Sequence, residues 1–96
     1  MKKRLIVTMS DGSRWGVPVE IIARDRAKNY ASEFGDDIDR SLAEDTVPLF
    51  TEHEFEIIDW AQNNMNWDDV KQHAGRMAHS EPDYQEGWVN GDKELV

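Results

Sequence analysis

The carboxylates between residues 33 and 59 are the densest source of possible chemistry in this 96-residue sequence. Glu33, Asp36, Asp37, Asp39, Glu44, Asp45, Glu52, Glu54, Glu56 and Asp59 stand against Arg40 as the single basic side chain of the stretch. Such a run could hold a hard cation, which wants several oxygen ligands. Asp37, Asp39 and Ser41 fit the first, third and fifth positions of an EF-hand loop. The sixth position is then Leu42 where glycine is needed, and the twelfth is Pro48 where a glutamate should bind, so no metal site is expected. Carboxylates can also do acid–base work, for which Asp59 beside Trp60 and the pair Asp68 and Asp69 are the candidates. Helix surface and helix capping explain both without catalysis. A third use is recognition. Gathered on one side of a fold, these side chains could imitate a phosphate backbone and occupy the basic groove of a nucleic-acid-binding protein. The plain alternative is a solvated face that keeps the chain soluble.

Four tryptophans add a second kind of binding chemistry, because tryptophan is enriched both in small cores and at interface anchors. Trp15 and Trp60 read as core. Trp67, at a helix start, and Trp88, near the end of the chain, read as more exposed. The expected partner-binding set is therefore Glu33, Asp36, Asp37, Asp39, Glu44, Asp45, Glu52 and Glu56, with Trp67 or Trp88 as an aromatic anchor.

Other chemistries are excluded by what is missing. There is no cysteine, hence no disulfide, thiolate nucleophile or thiolate metal site. His53, His73 and His79 are separated by 20 and 6 positions, not the short helical spacing of metal ligands. No nucleophile elbow, Walker loop, dinucleotide fingerprint or zinc-protease motif is present, so neither catalytic residues nor a cofactor are expected. The net charge of −9 argues against direct contact with nucleic acid or anionic lipid and favours a basic protein as partner. Charge is also unevenly spread, with 7 basic and 3 acidic residues in 1–28 but 4 and 17 in 29–96. Leu, Ile, Val and Phe make up 20 of the 96 residues, just enough for one small folded domain over 1–96. No apolar run approaches membrane-spanning length, and Leu5-Ile6-Val7 is too short a core for a signal peptide, so a cytoplasmic location is expected.

The elements that must carry these residues follow from local pattern. Leu5 to Met9 and Arg14 to Val17 flank Ser10-Asp11-Gly12-Ser13, a β-hairpin signal. A three-residue loop with Gly12 left-handed sets Leu5, Val7 and Met9 opposite Val17, Trp15 and Ser13 and collects the apolar side chains on one face. A two-residue Asp11-Gly12 turn separates the faces less well. Pro18 ends the second strand and opens a helix to about residue 34, with Val19, Ile22, Ala23, Ala27, Tyr30, Ala31 and Phe34 as its apolar stripe and Gly35 as its stop. The acidic stretch 36–45 has only Ile38 and Leu42 as anchors and reads as a loosely held, solvated helix. Thr51 and Glu54 have the spacing of a capping box, and Phe50 and Phe55 that of a hydrophobic staple, for a helix over 52–64 expected to be the most buried. Asn66 and Asp69 repeat the box ahead of a helix from Trp67 toward the stop Ser80-Glu81-Pro82, with Lys71, His73, Arg76 and His79 along its C-terminal half. Tyr84 and Trp88 could dock one short turn. The sequence thus predicts an α+β chain: a two-stranded hairpin on a long helix, then two or three short helices, an ordered core over 3–89 and a frayed tail over 90–96. Open strand edges leave monomer and homodimer both available.

The strings Ser10-Asp11-Gly12-Ser13-Arg14-Trp15-Gly16-Val17-Pro18-Val19-Glu20-Ile21-Ile22-Ala23-Arg24-Asp25-Arg26-Ala27 and Ile57-Ile58-Asp59-Trp60-Ala61-Gln62-Asn63-Asn64-Met65-Asn66-Trp67-Asp68-Asp69-Val70 resemble a group of small acidic proteins of tailed bacteriophages, over about residues 5–73. The resemblance carries no catalytic or binding residue with it. It implies expression in a bacterial cell and an accessory role, such as engaging a host or phage protein and inhibiting it. The alternative is an assembly or structural accessory that binds through exposed aromatic residues.

Overall fold

The computed structural model describes residues 1–76 and 88–96 of the chain, with the side chain of Arg76 left aside. Strand β1 (Arg4–Thr8) pairs antiparallel with β2 (Arg14–Pro18), Leu5 opposite Val17 and Val7 opposite Trp15. Met9 and Gly12 close the loop: Met9 N–H donates to the Ser13 carbonyl at 2.7 Å and Gly12 N–H to the Met9 carbonyl at 2.9 Å. Gly12 has φ +87°. This is the three-residue loop with the register that puts Leu5, Val7, Met9 and Val17 on one buried face.

Two strands are not the whole sheet. Gly75–Arg76 (β3) pairs with β2 and Lys93–Leu95 (β4) pairs with β1, giving the order β3-β2-β1-β4. The segment expected to fray is thus an edge strand. Leu5 lies opposite Leu95, and the N–H groups of Lys3 and Arg4 both donate to the Val96 carbonyl, at 2.9 and 3.1 Å. The edges of the hairpin that would have been open to a second copy are taken up inside the chain. A lone hairpin is marginal in water, which is the physical reason for recruiting further strands.

Helix α1 (Val19–Tyr30) starts directly after Pro18, whose φ of −60° suits a helix entry, and its first N–H is held by the Lys3 carbonyl at 2.9 Å. Val19, Ile22 and Ala23 are buried in the core cluster with the strand residues, and Ala27 is buried as well. A 3-10 turn, Ala31–Phe34, finishes the helix and Gly35 caps it with φ +67°. With four buried positions, α1 outranks the helix Phe55–Asn64 (α4), which buries only Ile57 and Ala61, so α4 is not the most buried helix as expected.

The acidic stretch folds as part of a continuous helical rod over 38–52: α2 (Ile38–Ser41), a π turn (Leu42–Thr46) and α3 (Val47–Glu52). Pro48 explains the wide turn. It has no N–H for the Glu44 carbonyl and its ring crowds that oxygen, and a π turn relieves the clash, with Val47 N–H reaching back to the Leu42 carbonyl. The rod is not loosely held. The buried Ser41 hydroxyl donates to the Ala27 carbonyl at 2.9 Å, and the buried Thr46 hydroxyl accepts from Arg26 Nη1 at 2.9 Å. Two polar side chains thereby seat the rod on α1.

Thr51 does not cap a helix. It lies inside α3 with its hydroxyl on the Val47 carbonyl at 2.7 Å. Carrying the helix through to Glu52 buries Phe50 completely, and burying a phenylalanine, about 2 kcal/mol, outweighs a cap of about 1 kcal/mol. Phe55 is then stranded on the surface and the expected staple does not form. At Asn66 the box does form: the Asp69 carboxylate accepts from Asn66 N–H at 2.7 Å, with Met65 and Val70 buried on either side. The helix it opens is short, α5 (Trp67–Val70) and a 3-10 turn to His73, after which Ala74 is extended and β3 begins. His79, the Ser80-Glu81-Pro82 stop and Tyr84 lie outside the described residues.

Candidate acidic docking surface

The rod over 38–52 sorts the carboxylates into three groups. At its N-terminal end, Gly35 (φ +67°) and Asp36 (φ +63°) turn the chain through two successive left-handed residues, which presents Glu33, Asp36 and Asp37 at one exposed corner. Asp37 has structural work there, its Oδ1 accepting Arg40 N–H at 3.1 Å as the cap of α2.

Along the middle of the rod the carboxylates are answered by arginines. Asp39 lies 3.6 Å from Arg24, Glu44 lies 2.5 Å from Arg40, and Asp45 lies 2.9 Å from Arg26. The first two pairs are exposed and each contributes about 0–1 kcal/mol. Arg26 is different. It is mostly buried, joins Asp45 to Thr46 and lies 4.6 Å above the Tyr30 ring, so Asp45 is committed to holding the rod on α1. Beside it, Trp60 Nε1 donates to Asp25 at 2.9 Å and the Trp60 ring stands 5.9 Å from Tyr30.

At the C-terminal end, His53 N–H closes α3 on the Leu49 carbonyl and Glu56 N–H opens α4 on the His53 carbonyl. Glu52, Glu54, Phe55 and Glu56 crowd this corner. Among the described residues no cation lies within 4 Å of Glu52, Glu54 or Glu56, nor of Glu33 or Asp36 at the other end. Glu54 and Glu56 suit the positive start of α4, whereas Glu52 sits at the negative end of α3, where helix electrostatics disfavours it. Phe55 is 71% exposed, the most exposed large apolar side chain of the described residues. Its assignment to a staple with Phe50 hid it in the sequence; the signal that could have found it is its place between Glu54 and Glu56.

The two ends are separated by the length of the rod, about 20 Å at 1.5 Å per residue, against a screening length of about 8 Å at physiological ionic strength. The expected single patch is therefore two acidic corners with an ion-paired stretch between them. Asp59, the candidate acid–base group, is exposed and accepts from the Asn63 amide at 2.9 Å.

The aromatic anchors named from sequence are not on the surface. Trp67 is 6% exposed and Trp88 is 0% exposed. Trp67 meets Trp15 edge-on at 5.4 Å and Trp88 at 6.3 Å, so three indoles knit the hairpin, α5 and the residue that leads into β4. Among the described residues no group of three or more His, Asp or Glu side chains could hold a metal ion. No helix among them is long and apolar enough to cross a membrane. Comparison of the chain with protein-family models, with curated protein sequences and with solved structures finds no match.

Proposed function

We propose that the chain is a noncatalytic binding protein, of the kind a tailed bacteriophage uses as an accessory, that engages a basic host or phage protein through its acidic helical half. One observation carries this reading: among the described residues no cation lies within 4 Å of Glu33 and Asp36 at one end of the rod or of Glu52, Glu54 and Glu56 at the other, while Asp39, Glu44 and Asp45 along its middle are paired with arginines. Charge left over after the fold has been served is available for a partner, and it steers association more than it adds raw affinity. Imitation of a phosphate backbone is the narrower version, by which a nucleic-acid-acting partner would be inhibited. The arginine pairs at Asp39, Glu44 and Asp45 interrupt the even charge spacing that version needs, so capture of a basic surface is the form put forward.

The test is retention of bacterial lysate proteins on the immobilised chain across a salt series, with identification by mass spectrometry. The expected result is a protein of net positive charge, eluting as ionic strength rises and lost when Glu52, Glu54 and Glu56 are replaced by glutamine. Retention of nothing, or of a partner indifferent to both salt and those replacements, would overturn the reading.

A further inference from the structure

We propose that Phe55 is the anchor of the binding surface, and that the partner it fits is a cationic protein face with an apolar recess at its centre. The inference rests on the reading above and sharpens it by naming where contact is made. Isolated apolar residues on a surface are ordinary, but Phe55 is set apart by its surroundings. Every other side chain of the described residues with Phe or Trp identity is at least partly buried, including Phe34 under the Arg40 guanidinium at 5.8 Å. Phe55 alone stands 71% exposed. It does so as the first residue of α4, immediately after the corner at His53 and Glu54 that follows the rod. Three glutamates, at 52, 54 and 56, flank it in sequence, with no cation within 4 Å of them among the described residues.

An exposed apolar ring flanked in sequence by negative charge has the composition of an interface centre with a polar rim, and the sign of that charge specifies the charge of the partner. A purely ionic partner would leave the ring in water, and a purely apolar one would strip water from the glutamates with nothing to replace it. A recess lined by aliphatic carbons and edged by lysine or arginine satisfies both, because the stems of those side chains are themselves apolar.

The probes are two helical peptides built from Lys and Ala, identical except that one carries a pair of leucines on its Ala face. Binding to each is measured by titration calorimetry at low and at physiological salt. The full chain is expected to bind the leucine peptide about tenfold more tightly than its partner. Phe55→Ser should abolish that preference while leaving the melting temperature within about a degree or two, since the ring is exposed. Glu54→Gln with Glu56→Gln should weaken both peptides in parallel. Binding of both peptides without preference, or a preference that survives Phe55→Ser, overturns the anchor and leaves the acidic-surface reading standing. Failure to bind either peptide at low salt overturns both.

Discussion

The indole N–H of Trp88 donates to the main-chain carbonyl of Met65 at 3.0 Å inside the core, joining positions 23 residues apart. The bond satisfies a carbonyl just beyond the end of α4 and brings the chain to the start of β4. Trp88 is completely buried, so truncating it removes a large apolar side chain and orphans a buried acceptor together. Trp88→Ala is expected to cost about 3–5 kcal/mol of unfolding free energy. Trp88→Phe keeps most of the volume and should cost markedly less. Denaturant titration of both variants measures the difference; equal losses would show that the bond to Met65, lost in both, dominates over packing.

Gly12 isolates the backbone requirement of the hairpin loop. Its φ is +87°, and a Cβ added there would meet nothing within 4 Å. The cost of Gly12→Ala is therefore conformational and should be about 1–2 kcal/mol. Gly12→Asn, a residue that tolerates left-handed geometry, should recover part of it. Thermal melts of the two variants against the parent chain decide this, and an alanine that is neutral would contradict the bulged loop.

Two sites with the same capping spacing should respond differently. Asn66→Ala removes a formed box and is expected to cost about 1 kcal/mol. Thr51→Ala removes only a hydroxyl bonded back to the Val47 carbonyl within the helix, and should leave stability within about 0.5 kcal/mol. Comparing the two denaturation midpoints tests the helix boundaries directly.

Lys93 supplies a pH signature for the C-terminal strand. Burial lowers its pKa below the ordinary lysine value of 10.5, with the Asp92 carboxylate opposing the shift, while Nζ donates to the Gly91 and Val89 carbonyls at 2.9 and 3.3 Å. The folded chain thus releases this proton at a lower pH than the unfolded chain. Below both values Lys93 is charged in both states and carries its full burial penalty. As pH rises through the folded value toward 10.5, the unfolded chain binds more protons and the penalty is relieved, so stability from this group increases. The stability difference between the parent and Lys93→Met is expected to change in that direction over the alkaline range. A difference that is constant with pH would remove Lys93 from the account.

The parts of the fold that were legible in the sequence rest on short-range stereochemistry. Asp11-Gly12 between alternating apolar residues specifies loop and register, Pro18 and Gly35 bracket α1, and Asn66 with Asp69 caps α5; each depends on residues within a few positions of one another. Phe50 and Phe55 show where that logic stops. Their spacing permits a staple, but only the core could decide that Phe50 is wanted inside, and satisfying it carried α3 past Thr51 and left Phe55 in water. The candidate site was legible as composition and not as geometry. Ten carboxylates against one arginine could be counted from residues 33–59, whereas Arg24 and Arg26 come from α1 and reach Asp39 and Asp45 only once the rod is seated.

The sequence by itself determined the α+β class, the hairpin, the first helix and the excess of negative charge, because backbone preferences and side-chain types are properties of neighbouring residues. Tertiary structure alone decided that residues 93–95 complete the sheet, that Trp67 and Trp88 belong to the core, and which carboxylates the arginines of the first helix reach. Those outcomes turn on contacts between distant positions, where burial of apolar surface and pairing of charge outweigh any local preference.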